Sequence, residues 1–232
     1  MTVHAIDIKN LTKKYGQLAA LNDLSLTLHG GQIVGLLGEN GCGKTTLLKV
    51  LGGALTQYDG TVRIHGLPVG PESKAIVSFL PDASFLAERD TIEACIGIYR
   101  DFFADFNEAK CRSLLEFFKL EPGRRITTLS KGMREKVQIA LAMSRDAKVF
   151  LLDEPISGVD PAARDVLLEA IVRDLPEDAL VLISTHLIHD LEPVLDSIAF
   201  MRHGQILLTG EVDDLRAERN LSIDQLFREV YR

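Results

Sequence analysis

Residues 38–45 read Gly38-Glu39-Asn40-Gly41-Cys42-Gly43-Lys44-Thr45 and fit G-x-x-x-x-G-K-[ST], the phosphate-binding loop named Walker A. The residue types state the chemistry. Glycines let successive backbone N–H groups turn inward around phosphate oxygens. Thr46 and the residues after it carry apolar side chains at helical spacing, so the loop runs into a helix N-terminus. Unpaired N–H groups and the macrodipole favour negative charge there. Lys44 adds a point cation for the β- and γ-phosphates, and the Thr45 hydroxyl suits Mg²⁺. Ile33 to Leu37, just before the loop, is a short apolar run, as a buried parallel strand should be. Cys42 reads as a small filler inside the loop.

A second set of chemistry-bearing residues lies at the ends of other apolar runs. Val149-Phe150-Leu151-Leu152 leads into Asp153 and Glu154. A buried parallel strand that delivers acids at its C-terminal end puts them where α/β sheets bind ligands. Beside a triphosphate, Asp153 can hold Mg²⁺ and Glu154 can orient or deprotonate the attacking water. Without the loop, the pair would read as a solvated acidic turn. Ala179 to Ile183 is a further apolar strand that ends at Ser184-Thr185-His186. Ser130 is a good N-cap ahead of an apolar face of Met133, Val137, Ala140 and Leu141, which alone is ordinary capping. Tyr15 follows Lys13-Lys14 and precedes Gly16; its ring can stack on a base or simply occupy a turn.

The elements that must position these residues fit one substantial α/β domain of 232 residues, with room for an inserted subdomain. A hydrophobic share of 46% with 25% charged residues is that of a soluble globular protein. No apolar run reaches the length of a membrane span, and Met1 to Asp7 lacks a signal-peptide pattern. The net charge of −7 argues against nucleic acid as the main partner. Cys42, Cys95 and Cys111 form no C-x-x-C, which fits a reducing cytosol.

Val3 to Ile8 and Leu24 to Leu28 alternate as strands, and His29-Gly30-Gly31 turns into the strand before the loop. Gly52-Gly53 ends the first helix. Tyr58-Asp59-Gly60 reads as a turn, Thr61 to His65 as a strand, Gly66-Leu67-Pro68 as another turn, and Ala75 to Leu80 as a strand that stops at Pro81-Asp82. Thr91 to about Lys119 is helical, with caps at Asp90 or Thr91 and at Asn107. Phe85, Tyr99, Phe102, Phe103 and Phe106 cluster here, as a small helical core or as a docking surface. Asp160-Pro161 starts a helix, Leu187 to Val194 reads as a short helix, Ile198 to Met201 and Gln205 to Leu208 as a hairpin, and Ser222 to Arg232 as a capped amphipathic helix.

In this order the set resembles the ATP-binding cassette (ABC) ATPases. Tyr15 falls at the family's adenine-stacking aromatic and Asp82 at its Q-loop. Leu129-Ser130-Lys131-Gly132-Met133 is similar to the L-S-G-G-Q signature. Asp153 and Glu154 match Walker B and the catalytic glutamate, Ser157-Gly158-Val159-Asp160 the D-loop, and His186 the switch histidine. The resemblance implies a phosphate-loop core with a parallel sheet, an N-terminal antiparallel β subdomain and an inserted α-helical subdomain. The core would take residues 1–82 and 145–212, the helical insert 83–144 and a helical tail 213–232.

The resemblance also implies a mechanism. Two cassettes pair head to tail around two ATP molecules. Each nucleotide is held by Tyr15 and by Gly38, Glu39, Asn40, Gly41, Cys42, Gly43, Lys44, Thr45 and Thr46 of one chain, and by Ser130, Lys131, Gly132 and Asp160 of the other. Thr45, Asp82 and Asp153 place Mg²⁺, Glu154 prepares the attacking water, His186 steadies the γ-phosphate and Lys44 is the cation for the phosphates. Three positions depart from the family pattern: Asp82 for glutamine, Lys131 for glycine and Met133 for glutamine. They are similar to a branch that serves separately encoded exporters. The expectation is a cytoplasmic ATPase, peripheral on the inner face of the membrane and docked on an integral permease. The alternative is a cytosolic cassette ATPase acting on a ribosome or another large complex.

Overall fold

The computed structural model describes residues 4–231, so the expected strand start at Val3 and helix end at Arg232 lie outside the described residues. In chain order the elements are β1 (Ile6–Tyr15), β2 (Leu18–Leu28), β3 (Gln32–Leu37), α1 (Lys44–Leu51), β4 (Asp59–Ile64), β5 (Leu67–Pro68), α2 (Pro71–Ala75), β6 (Val77–Leu80), α3 (Ile92–Phe102), α4 (Glu108–Phe117) and α5 (Lys131–Met143). They continue with β7 (Val149–Asp153), α6 (Pro161–Val172), β8 (Leu180–Thr185), α7 (Ile188–Leu191), β9 (Ser197–Arg202), β10 (Gln205–Glu211), α8 (Val212–Arg219) and α9 (Ile223–Val230). The strands form a four-stranded sheet in the order β2-β1-β4-β5 and a six-stranded sheet in the order β10-β9-β3-β8-β7-β6. The first is antiparallel. The second is parallel except for β10 at its edge.

The parallel strands are buried on both faces, which is why they read as unbroken apolar runs. In β7 the side chains alternate between two cores. Phe150 and Leu152 pack with the helical side, and Val149 and Leu151 with α1 and the antiparallel sheet. Burial of each such side chain contributes about 1.5–3 kcal/mol.

The segment between β6 and β7 carries α3, α4 and α5. Thr91 caps α3 by accepting from the Ala94 amide at 3.1 Å, and Asn107 caps α4 by accepting from Lys110 at 3.0 Å. Tyr99 packs against Phe103 and Phe106 at 5.0 and 5.6 Å between ring centroids, and Tyr99 and Phe106 lie partly buried against the helical core of Ile92, Ile96, Cys111, Leu114 and Leu115. Phe102 stays 78% exposed. Arg145 ties this segment to the parallel sheet. Its guanidinium is buried, takes Asp105 in two-pronged fashion at 2.9–3.1 Å, donates to the carbonyls of Val77 and Ala75 at 2.7 and 2.9 Å, and lies over the Phe103 ring.

Several local expectations change. Asp59 and Gly60 open β4 rather than forming a turn with Tyr58, because β1 is long enough for Thr12 to pair with Asp59 after a register shift. Leu67-Pro68 is a short strand paired to β4, not a turn. Residues 71–75 form α2, so the strand before Pro81 begins only at Val77; Pro71 suits a first helical position. β1 and β2 exceed the stretches that alternate, because three register shifts between them interrupt the period of two.

Candidate active site

Strand register brings the separate motifs to one end of the parallel sheet. Leu37, the last residue of β3, pairs with Thr185 of β8, and Asp153 of β7 pairs with Ser184. The phosphate loop, the two acids and His186 therefore leave adjacent strands at the same edge. This is the crevice at the carboxyl ends of the strands where α/β sheets bind ligands.

The loop from Gly38 to Gly43 is shaped from outside as well as by its own residues. Gly43 has φ +114°, a region that L side chains avoid, and a Cβ there would collide with the Ala20 carbonyl. The Cys42 carbonyl accepts from the Gly204 amide at 2.9 Å, so the β9–β10 turn grips the loop. The Cys42 thiol is buried, and burial pushes its pKa up. Lys44 opens α1 with its ammonium buried inside the loop. It donates to the carbonyls of Gly38 and Glu39 at 2.7 and 3.2 Å and lies 3.6 Å from Glu154 Oε1. Glu39, Asn40 and Gly41 face solvent, and Thr45 and Thr46 are half-buried on the first turn of α1.

Beside the loop is a cleft of about 350 Å³ lined by Tyr15, Leu18, Ala20, Asn40, Gly41, Gly43, Lys44, Thr45, Thr46, Asp82 and Glu154. Tyr15 closes β1 at the tight hairpin into β2 and is half exposed at the rim. It lines the cleft together with the phosphate loop.

Asp153 is buried, and its Oδ1 accepts from Ser184 Oγ at 2.6 Å and from Thr45 Oγ1 at 3.1 Å. Burial pushes its carboxyl above the usual range; the Asp82 and Glu154 charges add to the push, and the two hydroxyls oppose it. Its Oδ2 is buried with no hydrogen-bond partner among the described residues. An orphaned carboxylate oxygen beside the Thr45 hydroxyl is the donor set a hard divalent cation takes, so these residues fit Mg²⁺.

Glu154 adopts φ +50°, an uncommon region for a residue with a side chain. Its amide donates to both the carbonyl and the hydroxyl of Ser184 at 3.1 Å, which holds the strained turn. The carboxylate then bridges Lys44 and His186, with Oε2 3.0 Å from His186 Nδ1. Ser184 thus supports both acids. Its place at the polar end of an apolar strand is the signal that marks it in the sequence.

No signature or D-loop residue lines this cleft, although Lys131 and Ser157 line the small cavity beside it. Ser130 caps α5 by accepting from the Met133 amide at 3.3 Å, and Asp160 caps α6 by accepting from Ala163 at 3.1 Å. Gly132 lies in the first turn of α5. Lys131 is largely exposed, 3.9 Å from Glu135, and borders a small, partly open cavity of about 50 Å³ that it shares with Asp82, Asp153 and Glu154. Burial raises the Glu135 carboxyl, Lys131 lowers it, and Asp82 raises it further. Gln138 of α5 accepts from the Phe85 amide at 3.1 Å, a link between the signature helix and the segment after Asp82.

The chain's likeness to known proteins agrees with this arrangement. A family model described as "ABC transporter" matches residues 21–157. The chain is 33% identical over 218 residues to the Nod factor export ATP-binding protein I of Burkholderia lata, covering 90% of this chain and 72% of that one. It is 30% identical to the uncharacterized ABC transporter ATP-binding protein YxlF of Bacillus subtilis, covering 94% and 75%. A solved structure described as the ATP-binding subunit of an ABC transporter superposes with TM-score 0.87 at 28% identity, covering 98% of this chain and all of that one.

A parallel sheet that ends in a phosphate loop and paired acids, carried on an antiparallel sheet and a helical insert, defines an ATP-hydrolysing nucleotide-binding domain. The chain belongs to the ABC transporter family, as an ATP-binding subunit with ATPase activity. Among the described residues no helix is long and apolar enough to cross a membrane.

Proposed function

We propose that two copies of this chain, or this chain and a similar subunit, close head to tail on ATP to drive export through a separate membrane permease. One observation carries the reading. The cleft holds Tyr15, the phosphate loop, Asp82 and Glu154, yet no residue of α5 or of the D-loop lines it; Lys131 and Ser157 reach only the small cavity beside it, and Ser130, Gly132 and Asp160 reach neither. Ser130, Lys131, Gly132 and Asp160 stand at two other helix N-termini, which are suited to anions. A second chain that presents them to the γ-phosphate makes association depend on that phosphate, and its loss loosens the pair.

Within one pocket, Tyr15 stacks on the base, and residues from Gly38 to Thr46 bind the phosphates. Thr45 and Asp153 would hold Mg²⁺, with Asp82 at the rim. When bound, the ion would supply charge neutralisation at the phosphates. Glu154 takes the proton of the attacking water, held on the other side by His186, and Lys44 balances the charge that develops on the γ-phosphate. Lys131 brings a cation to the partner's γ-phosphate once it leaves Glu135.

Docking on a permease is supported by the surface near the helical segment. A groove of about 260 Å³ between Gly52-Gly53-Ala54 and Phe103 adjoins the parallel sheet, and Phe102 and Ile98 on α3 are exposed. The export direction rests on the relatives named for Nod factor export. A photocrosslinking amino acid at Phe102, activated in cells, tests the reading. The expected adduct is with a multi-span membrane protein; adducts confined to ribosomal or other non-membrane proteins would overturn it.

A further inference from the structure

The back of the phosphate loop is closed by a residue from the far end of the chain. Tyr231 follows α9, and its hydroxyl donates to the Met201 carbonyl at 2.5 Å and lies 3.5 Å from the Leu37 carbonyl. Leu37 is the last residue before the loop. A Cβ on Gly38 would come within 3.3 Å of the Tyr231 hydroxyl and 2.6 Å of Cys42 Sγ, and would collide with the Met201 carbonyl. The first glycine of the loop is therefore wedged against a thiol from inside the loop and a phenol from the C-terminal turn. Burial pushes the Tyr231 hydroxyl well above its ordinary pKa, so it stays a donor.

The tyrosine is held by a built arrangement. Its ring stacks on Phe227 at 4.0 Å and meets Phe200 of β9 edge-on at 6.3 Å, and the Arg202 guanidinium lies over it. At the other end of α9, Ser222 and Gln225 form a capping box, and the Ile223 amide donates to Glu192 at 3.0 Å. Glu192 also takes Arg216 of α8 at 2.6 and 3.0 Å. Burial alone would raise the Glu192 carboxyl; the Ile223 amide and Arg216 outweigh it and hold it below the usual range. Helix α9 is thus pinned at its start by a buried charge and at its end by an aromatic stack, with the hydroxyl delivered under the loop.

We propose that Tyr231 is a positioning residue for nucleotide binding, and that α9 is a strap that presets the phosphate loop from behind. The loop binds phosphates with backbone N–H groups, so a loop already held in shape loses less freedom when ATP arrives. Strap docking and ATP binding then stabilise each other, because linkage between two sites is reciprocal. The inference needs only the nucleotide site of one chain. Its failure and the failure of the two-chain reading are distinguishable, because Cys42 alkylation without nucleotide reads the loop of a single chain.

Tyr231→Phe removes the hydroxyl and keeps the stack; Tyr231→Ala removes both. Three quantities are read in the full-length chain: the Kd for a non-hydrolysable ATP analogue with Mg²⁺, the alkylation rate of Cys42 against those of the buried Cys95 and Cys111, and the Tm without nucleotide. Tyr231→Phe is expected to weaken the analogue about three- to tenfold, the size of one lost hydrogen bond. It should speed alkylation of Cys42 alone and lower the Tm by no more than about 4 °C. Saturating analogue should slow Cys42 alkylation in the unaltered chain. Unchanged affinity in Tyr231→Phe would overturn the proposal, as would equal acceleration at all three cysteines, which marks general loosening. Should Tyr231→Ala fail to fold, Tyr231→Phe decides alone.

Discussion

Lys44 Nζ lies 3.6 Å from Glu154 Oε1, while the other oxygen of that carboxylate is 3.0 Å from His186 Nδ1. The phosphate-loop cation and the candidate base are thus one contact apart, and an incoming γ-phosphate competes with Glu154 for the lysine. Glu154→Gln keeps the shape and removes both the charge and the basicity. Turnover should fall about 10²–10⁴-fold, the usual contribution of a general base. ATP affinity should hold or rise, since the amide competes less for Lys44. Steady-state hydrolysis and equilibrium nucleotide binding check both halves. A variant with near-normal turnover would remove Glu154 from the base role.

Asp153 makes a prediction about pH and stability together. Its folded pKa is raised, chiefly by burial. The folded chain therefore keeps a proton at pH values where the unfolded chain has lost it. Stability from this group declines as pH rises from the ordinary carboxylate value to the raised one, and the ionised form stays a burden at pH 7. Asp153→Asn should raise the Tm at pH 7 without Mg²⁺ by about 2–4 °C. It should also abolish Mg²⁺-dependent hydrolysis. A calorimetric scan showing a lower Tm for the variant would contradict this account of the site.

Tyr15 should act on binding and not on chemistry. It lines the cleft with the loop and is half exposed, and stacking on a base contributes roughly 1–3 kcal/mol. Tyr15→Ala is expected to raise KM for ATP about tenfold with kcat nearly unchanged, the pattern of lost uniform binding. Initial rates against ATP concentration measure it; a fall in kcat at unchanged KM would put Tyr15 elsewhere in the mechanism.

Arg145 tests how the helical segment is held. Removing one partner from a buried, hydrogen-bonded ion pair costs about 3 kcal/mol. Arg145→Ala should lower the Tm by about 6–12 °C for a chain of this size. It should also loosen the segment that carries α3 to α5. A Tm within 2 °C of the unaltered chain, measured by calorimetry, would show that Asp105 and the Val77 and Ala75 carbonyls find other partners.

The phosphate loop and the strands β7 and β8 were legible because buried parallel strands are continuous apolar runs with polar ends. The N-caps at Thr91, Asn107, Ser130 and Asp160 were legible because capping is local chemistry. The full lengths of β1 and β2 were not, since register shifts between them break the alternation that marks a half-buried strand. Helix α2 was not legible, since five residues carry too little periodicity to declare a helix, and its last residue, Ala75, reads as the start of the next strand. Ser184 is marked by its place at the polar end of an apolar strand, but its partner Asp153 lies 31 residues away, and the contact of Tyr231 with Leu37 spans 194 residues, which no local pattern encodes.

The central claim is that a triphosphate shared by two chains completes the pocket, with Lys44 on one side and Ser130 on the other. Sedimentation of the Glu154→Gln chain with saturating Mg-ATP tests it most directly. The account predicts a species of twice the chain mass with Mg-ATP, a single chain with Mg-ADP, and loss of the pair when Ser130→Ala is added. A single chain at saturating Mg-ATP, or a pair that forms regardless of nucleotide, would contradict it.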